Sequence, residues 1–80
     1  MQKYEIRLTL AENVKNFVNA LNKYDFEMDL RAGRHVVDAK SILGIFSLDL
    51  SRTITLEIED DQVPQEQIDA LLADIAPFRA

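Results

Sequence analysis

An α+β open-faced sandwich, one sheet covered on one side by helices, is the fold the sequence predicts. Three observations predict it. Four stretches alternate apolar and polar residues with the period of two that marks a strand with one buried face. Other stretches repeat their apolar residues at spacings of three and four, the stripe of a helix that can cover such a face. Eighty residues without linker, repeat or low-complexity tract leave room for a single domain, residues 1–80, around one core.

Tyr4, Ile6, Leu8 and Leu10 alternate with Glu5, Arg7 and Thr9, so the chain opens with a strand whose four apolar residues face inward. The period then changes. Val14, Phe17, Val18 and Leu21 fit i, i+3, i+4, i+7, predicting a helix from Glu12 to Tyr24 with Asn13, Lys15, Asn16 and Asn19 in water. Phe26, Met28 and Leu30 restore the alternation. Glycine can take the positive φ that a tight hairpin demands, so Ala32-Gly33 marks the turn into a third strand, Arg34–Asp38.

Ser41 is a natural N-cap, since its hydroxyl can accept from free N–H groups of the next turn. The short helix it opens is unusual. Ile42, Ile45 and Asp49 fall on one side, while Leu43, Phe46 and Leu50 fall on the other, so apolar groups point in two directions. A sheet can cover one direction and leaves the other free. Arg52–Glu59 is the cleanest strand, with Ile54, Leu56 and Ile58 inward. Asp60–Val63 reads as a loop, and Pro64 suits the first turn of a last helix carrying Ile68, Leu71, Leu72 and Ile75 before Pro77 ends it. The order is β-α-β-β-α-β-α. All three helices should lie on one face, with Glu5, Arg7, Glu27, Asp29 and Glu57 on the open one.

Composition excludes several function classes. The chain has no cysteine, so disulfides and thiolate metal sites are out, which agrees with a cytoplasmic setting. No leader is visible at Met1–Glu5, and no apolar run nears the ~20 residues that span a bilayer. The net charge of −5 argues against nucleic acid as a partner. His35 is the single histidine and reads as a strand residue. It cannot hold a metal without further ligands, and Asp60 with Asp61 reads as a solvated loop pair. No glycine-rich phosphate loop or nucleophile elbow is present. Neither metal nor cofactor is expected, and the residues mark no catalytic centre.

The stretch Ala39–Leu48, with Lys40-Ser41-Ile42-Leu43-Gly44 at its heart, resembles the Lys-Ser-Ile-Met-Gly-Val-Met-Ser-Leu segment of HPr. HPr is the histidine phosphocarrier of the bacterial phosphoenolpyruvate sugar phosphotransferase system. Lys23-Tyr24-Asp25 stands at the family's distance upstream of the Lys-Ser pair, and the likeness is strongest from Lys23 to Leu50. It implies a four-stranded antiparallel sheet in the order 1-4-2-3. It also implies docking on phosphotransferase proteins or a transcriptional regulator through the Ser41 helix, here Ile42, Leu43, Ile45, Phe46 and Leu48. In Gram-positive members the serine matching Ser41 is phosphorylated by a dedicated kinase, and Lys40 would be the adjacent counter-charge.

The family's chemistry needs a histidine after the first strand, in a His-x-Arg-Pro context, at a helix N-terminus whose N–H groups and dipole favour the phosphoryl group. Here the matching stretch, Thr9–Val14, has no histidine, arginine or proline, looks several residues shorter, and places Glu12 where phosphate would sit. Catabolite-repression paralogues of HPr also lack that histidine. The expectation is therefore a protein of this family that has lost phosphocarrier chemistry and works by binding, under control of Ser41 phosphorylation. Two alternatives stand beside it: a divergent phosphocarrier using His35 or a carboxylate, and a structural homodimer joined through the Ser41 helix or an edge strand.

Overall fold

The computed structural model describes residues 1–80. Strand β1 (Gln2–Ile6) leads into helix α1 (Ala11–Leu21). Strands β2 (Asp29–Ala32) and β3 (His35–Asp38) form a hairpin. A short helix α2 (Ile42–Phe46), strand β4 (Ile54–Ile58) and helix α3 (Gln65–Asp74) follow, and a 3₁₀ turn, Ala76–Phe78, closes the chain. The sheet is antiparallel in the order β1-β4-β2-β3. This is the α+β arrangement, with three helices against one face, that the sequence and its resemblance imply.

Register puts the inward residues in rows. Tyr4 and Leu30 both pair with Leu56, and Val37 completes that row on β3. Beneath the helices, seventeen residues are buried, among them Ile6, Leu8, Leu30, Ile54, Leu56 and Ile58 from the sheet side and Val14, Phe17, Val18, Leu21, Ile68 and Leu71 from α1 and α3. Fully burying one such side chain contributes about 1.5–3 kcal/mol, so this stripe-on-sheet packing holds the domain together. The hairpin turn has Gly33 at φ 60 and no other positive φ, a type II′ arrangement that only a residue without Cβ adopts freely.

Several boundaries differ from the sequence pattern. β1 ends at Ile6, although Leu8 remains buried, and Leu10 is 61% exposed as the residue preceding α1. Its carbonyl accepts from Asn13 and Val14, so the helix start has claimed it and turned its side chain outward. α1 runs Ala11–Leu21 rather than to Tyr24, and β2 starts at Asp29, which leaves Phe26 half-buried in the connection. β4 loses a residue or two at each end.

The C-terminus adds a feature that periodicity does not carry. Arg7 N–H donates to the Phe78 carbonyl at 2.8 Å, Ala80 N–H to that of Glu5 at 3.0 Å, and Arg79 bridges Ile6. The tail thus covers the outer edge of β1. Phe78 packs edge-on against Phe17 with ring centroids 5.7 Å apart, tying this cover to α1. The outer edge of β3 is left as the sheet's free edge.

Candidate functional site

Ser41 takes an extended conformation and its Oγ accepts from the Gly44 N–H at 3.1 Å, the capping bond expected of it. Gly44 makes room for this. A Cβ at position 44 would come within 3.2 Å of both Ser41 Oγ and Val37 Cβ, so its bare backbone lets α2 lie close on β3. Ser47 closes the helix by donating its hydroxyl to the Gly44 carbonyl at 2.5 Å.

α2 divides the apolar residues predicted to dock. Ile45 is buried, and Leu48, just past the helix end, is nearly so; both belong to the core, facing the layer formed by α1 and β3. This corrects their grouping with the surface. A five-residue helix must anchor itself by one side, and these two are the anchor. Leu43 is 85%, Phe46 47% and Ile42 39% exposed, so the surface patch consists of three residues.

Lys40 is also placed differently. Its ammonium donates to the Tyr24 carbonyl, in the turn after α1, instead of standing free beside Ser41. Tyr24 in turn donates its hydroxyl to Asp74 Oδ2 of α3 at 2.6 Å, with Lys23 Nζ 3.7 Å from the same oxygen. Partial burial, then this bond and the charge of Asp74, push the Tyr24 hydroxyl up to about 12. A chain of polar contacts therefore runs from the residue before Ser41, through Tyr24 in the connection after α1, to α3.

The loop between β1 and α1 holds Arg7, Leu8, Thr9 and Leu10 and no histidine, and the first turn of α1 carries Glu12. α1 has no side-chain cap. His35 is exposed on β3, with two strands between it and β1, roughly 14 Å across the sheet at ordinary strand spacing. It borders a hollow of ≈ 270 Å³ with Arg34, Arg52 and Asp49, whose carboxylate is 3.5 Å from Arg52 Nε. Asp60 and Asp61 are exposed: Asp60 accepts from Gln62 N–H, and Asp61 pairs with the N-terminal ammonium at 2.9 Å. No three His, Asp or Glu side chains are grouped to hold a metal ion. No helix is long and apolar enough to cross a membrane.

Two features of the open face escape a reading of single strands. Glu57 lies there as its alternation requires, yet its side chain is 1% exposed, roofed by Arg31 and Lys3. Arg31 Nε is 2.9 Å away, and its hydrogen bond holds the Glu57 carboxyl below the usual range against the opposing pull of burial. Near the other end of β2, Asp25, Glu27, Asp29, Asp38, Glu59 and Asp60 line two adjoining hollows of ≈ 270 and 350 Å³. The alternating acids of these strands were the available signal, but their gathering depends on the strand order.

The family model described as the PTS HPr component phosphorylation site matches residues 10–76, and the chain belongs to the HPr family of the phosphotransferase system. Solved structures agree. HPr from Thermoanaerobacter tengcongensis is similar with a TM-score of 0.72 and 29% identity, over 95% of this chain and 92% of that one. The phosphocarrier protein HPr of Bacillus anthracis is similar with a TM-score of 0.57 and 26% identity, over 92% of this chain and 95% of that one. No curated protein sequence gives a match.

Proposed function

We propose that this HPr-family protein acts by binding rather than by carrying phosphate, and that α2 is its docking element. One observation carries the reading: the loop entering α1 offers no imidazole, while α2 leaves Ile42, Leu43 and Phe46 in solvent. An exposed apolar cluster on so small a domain marks a contact surface. Its partners are proteins, of the phosphotransferase system or a transcriptional regulator that reads it.

Ser41 supplies the control. Phosphorylation would place about −1.5 to −2 charges directly before the apolar face and change which surfaces can close over it. Because Lys40 is held by the Tyr24 carbonyl, the new group would compete for that ammonium and loosen the tie to the segment that follows α1. A divergent phosphocarrier is the second reading, favoured by one observation: exposed His35 borders a hollow with two arginines.

The test is incubation with phosphoenolpyruvate and enzyme I. The protein is expected to gain no acid-labile phosphate. Acid-labile phosphate that disappears in His35→Ala would establish the second reading instead. Binding is tested separately with Ser41→Asp, which keeps a capping oxygen and adds charge. The fold should persist and affinity for phosphotransferase proteins should change; unchanged affinity would remove Ser41 from the mechanism.

A further inference from the structure

Strand β3 is charged oppositely at its two ends. Arg34, in the turn just before β3, lines a hollow with His35, Arg52 and Asp49, the last two paired with each other, while Asp38, Asp25, Glu27, Asp29 and Lys40 line the hollow at the other end. Within the chain neither Arg34 nor Asp38 forms an ion pair. The ladder also sets Asp29 directly opposite Asp38, and like charges in that relation repel across a sheet.

The hydrogen-bond phase of the hairpin completes the picture. With a two-residue loop, Ala32 and His35 form the bonded pair next to the turn, and bonded pairs alternate along the strands. Leu30 and Val37 are the next. The N–H and C=O of Val36 therefore point away from β2, into the free edge. The Val36 side chain, on the open face, is 43% exposed.

We propose that β3 pairs antiparallel with β3 of a second copy of this chain, about a two-fold axis through Val36. Only residues of like parity share a face, so this register keeps the two sheets continuous. Val36 exchanges both backbone bonds with its counterpart, and the two side chains meet on the open face. Arg34, the loop residue just before β3, comes beside the end of the partner's strand, where its long side chain reaches Asp38 of the other copy and supplies the cation that the Asp29–Asp38 pair lacks. An isologous contact requires such self-complementarity. Four-residue strands make a small interface, so the dimer is weak and salt-sensitive.

Sedimentation equilibrium at low salt tests it, at concentrations up to about 1 mM, which a small interface requires. The wild type is expected to dimerise. Arg34→Asp and Asp38→Arg should each weaken association by roughly tenfold or more, by setting like charges opposite one another. Mixing the two variants rebuilds both ion pairs and should restore a dimer, and so should the double variant alone. These recoveries also show that the variants are folded. A monomeric wild type at the highest concentration overturns the proposal. Single variants that associate as the wild type does, or a mixture that stays monomeric, overturn it equally.

Discussion

Ser41 and Gly44 are fitted to one another: the serine hydroxyl accepts the glycine N–H at 3.1 Å, and a methyl group on the glycine would approach that oxygen to 3.2 Å. The same methyl would meet Val37 Cβ at 3.2 Å, an atom fixed by its strand. In an open helix, glycine to alanine gains about 1 kcal/mol. Here Gly44→Ala should instead lose about 1 kcal/mol, because the cap must yield or α2 must lift from β3. Ser41→Ala should lose about 1 kcal/mol by itself. In the double variant the two losses should sum to less than their total, since removing the hydroxyl clears part of the space. Thermal melts of the four proteins give the cycle; strict additivity would mean that the two residues are not coupled.

The two sides of α2 should respond in opposite ways. Leu43→Glu, at the most exposed position, is expected to leave stability within about 0.5 kcal/mol while abolishing partner binding. Ile45→Ala, in the core, should cost about 2–5 kcal/mol through lost transfer energy and a cavity. Chemical denaturation and a binding assay on both variants separate anchor from contact surface. A Leu43→Glu protein that binds normally would move the docking face elsewhere.

Glu57 gives the sheet an acid-sensitive point. Its folded pKa is lowered, chiefly by the hydrogen bond from Arg31, so the unfolded state binds more protons in the window just below the ordinary carboxylate value. Stability contributed by Glu57 is therefore present above the unfolded value near 4.5 and is lost as pH falls through the lower folded one. Arg31 is well exposed, and only one layer of side chains separates Glu57 from water, so the contribution is at the scale of a surface pair, below about 1 kcal/mol. Urea midpoints of wild type and Glu57→Gln should converge as the pH drops from neutral into the acid range. Parallel curves would show that the ion pair does not contribute.

Much of the architecture could be read from periodicity, because four half-buried strands and amphipathic helices carry their burial in their spacing. Val14, Phe17, Val18 and Leu21 are buried as the stripe demands, and Ile54, Leu56 and Ile58 as the alternation does. Strand order was different. It entered through the likeness around Lys40–Leu48, since no periodicity states which strands are neighbours. Where the strand alternation failed, a competing contact, local or tertiary, had won. Leu10 continues the alternation of β1 but was taken by the start of α1, and Glu57 follows its alternation onto the open face yet is buried by an arginine twenty-six residues earlier. Ile45 and Leu48 look like their exposed neighbours in composition; burial against the layer of α1 and β3 distinguishes them. The acidic hollows depend wholly on β2, β3 and β4 lying side by side.

Tyr24 yields a prediction at the other end of the pH scale. Its hydroxyl donates to Asp74, and partial burial with that negative neighbour disfavours the phenolate, which raises its pKa from 10.0 to about 12. Between those values the folded state holds a proton that the unfolded state has released. Stability must then fall as pH rises through this window, the reverse of the slope that Glu57 gives in acid. Tyr24→Phe removes the titrating group and the bond to Asp74 while keeping the ring that packs beside Phe26. It should lose about 1 kcal/mol at neutral pH, the ordinary net value of one such hydrogen bond. It should also lose less than the wild type on going from pH 9 to pH 12, so that the two unfolding curves approach one another. Equilibrium denaturation followed by circular dichroism across that range reads the difference. A variant whose stability declines in parallel with the wild type would show that Tyr24 has no part in the alkaline slope.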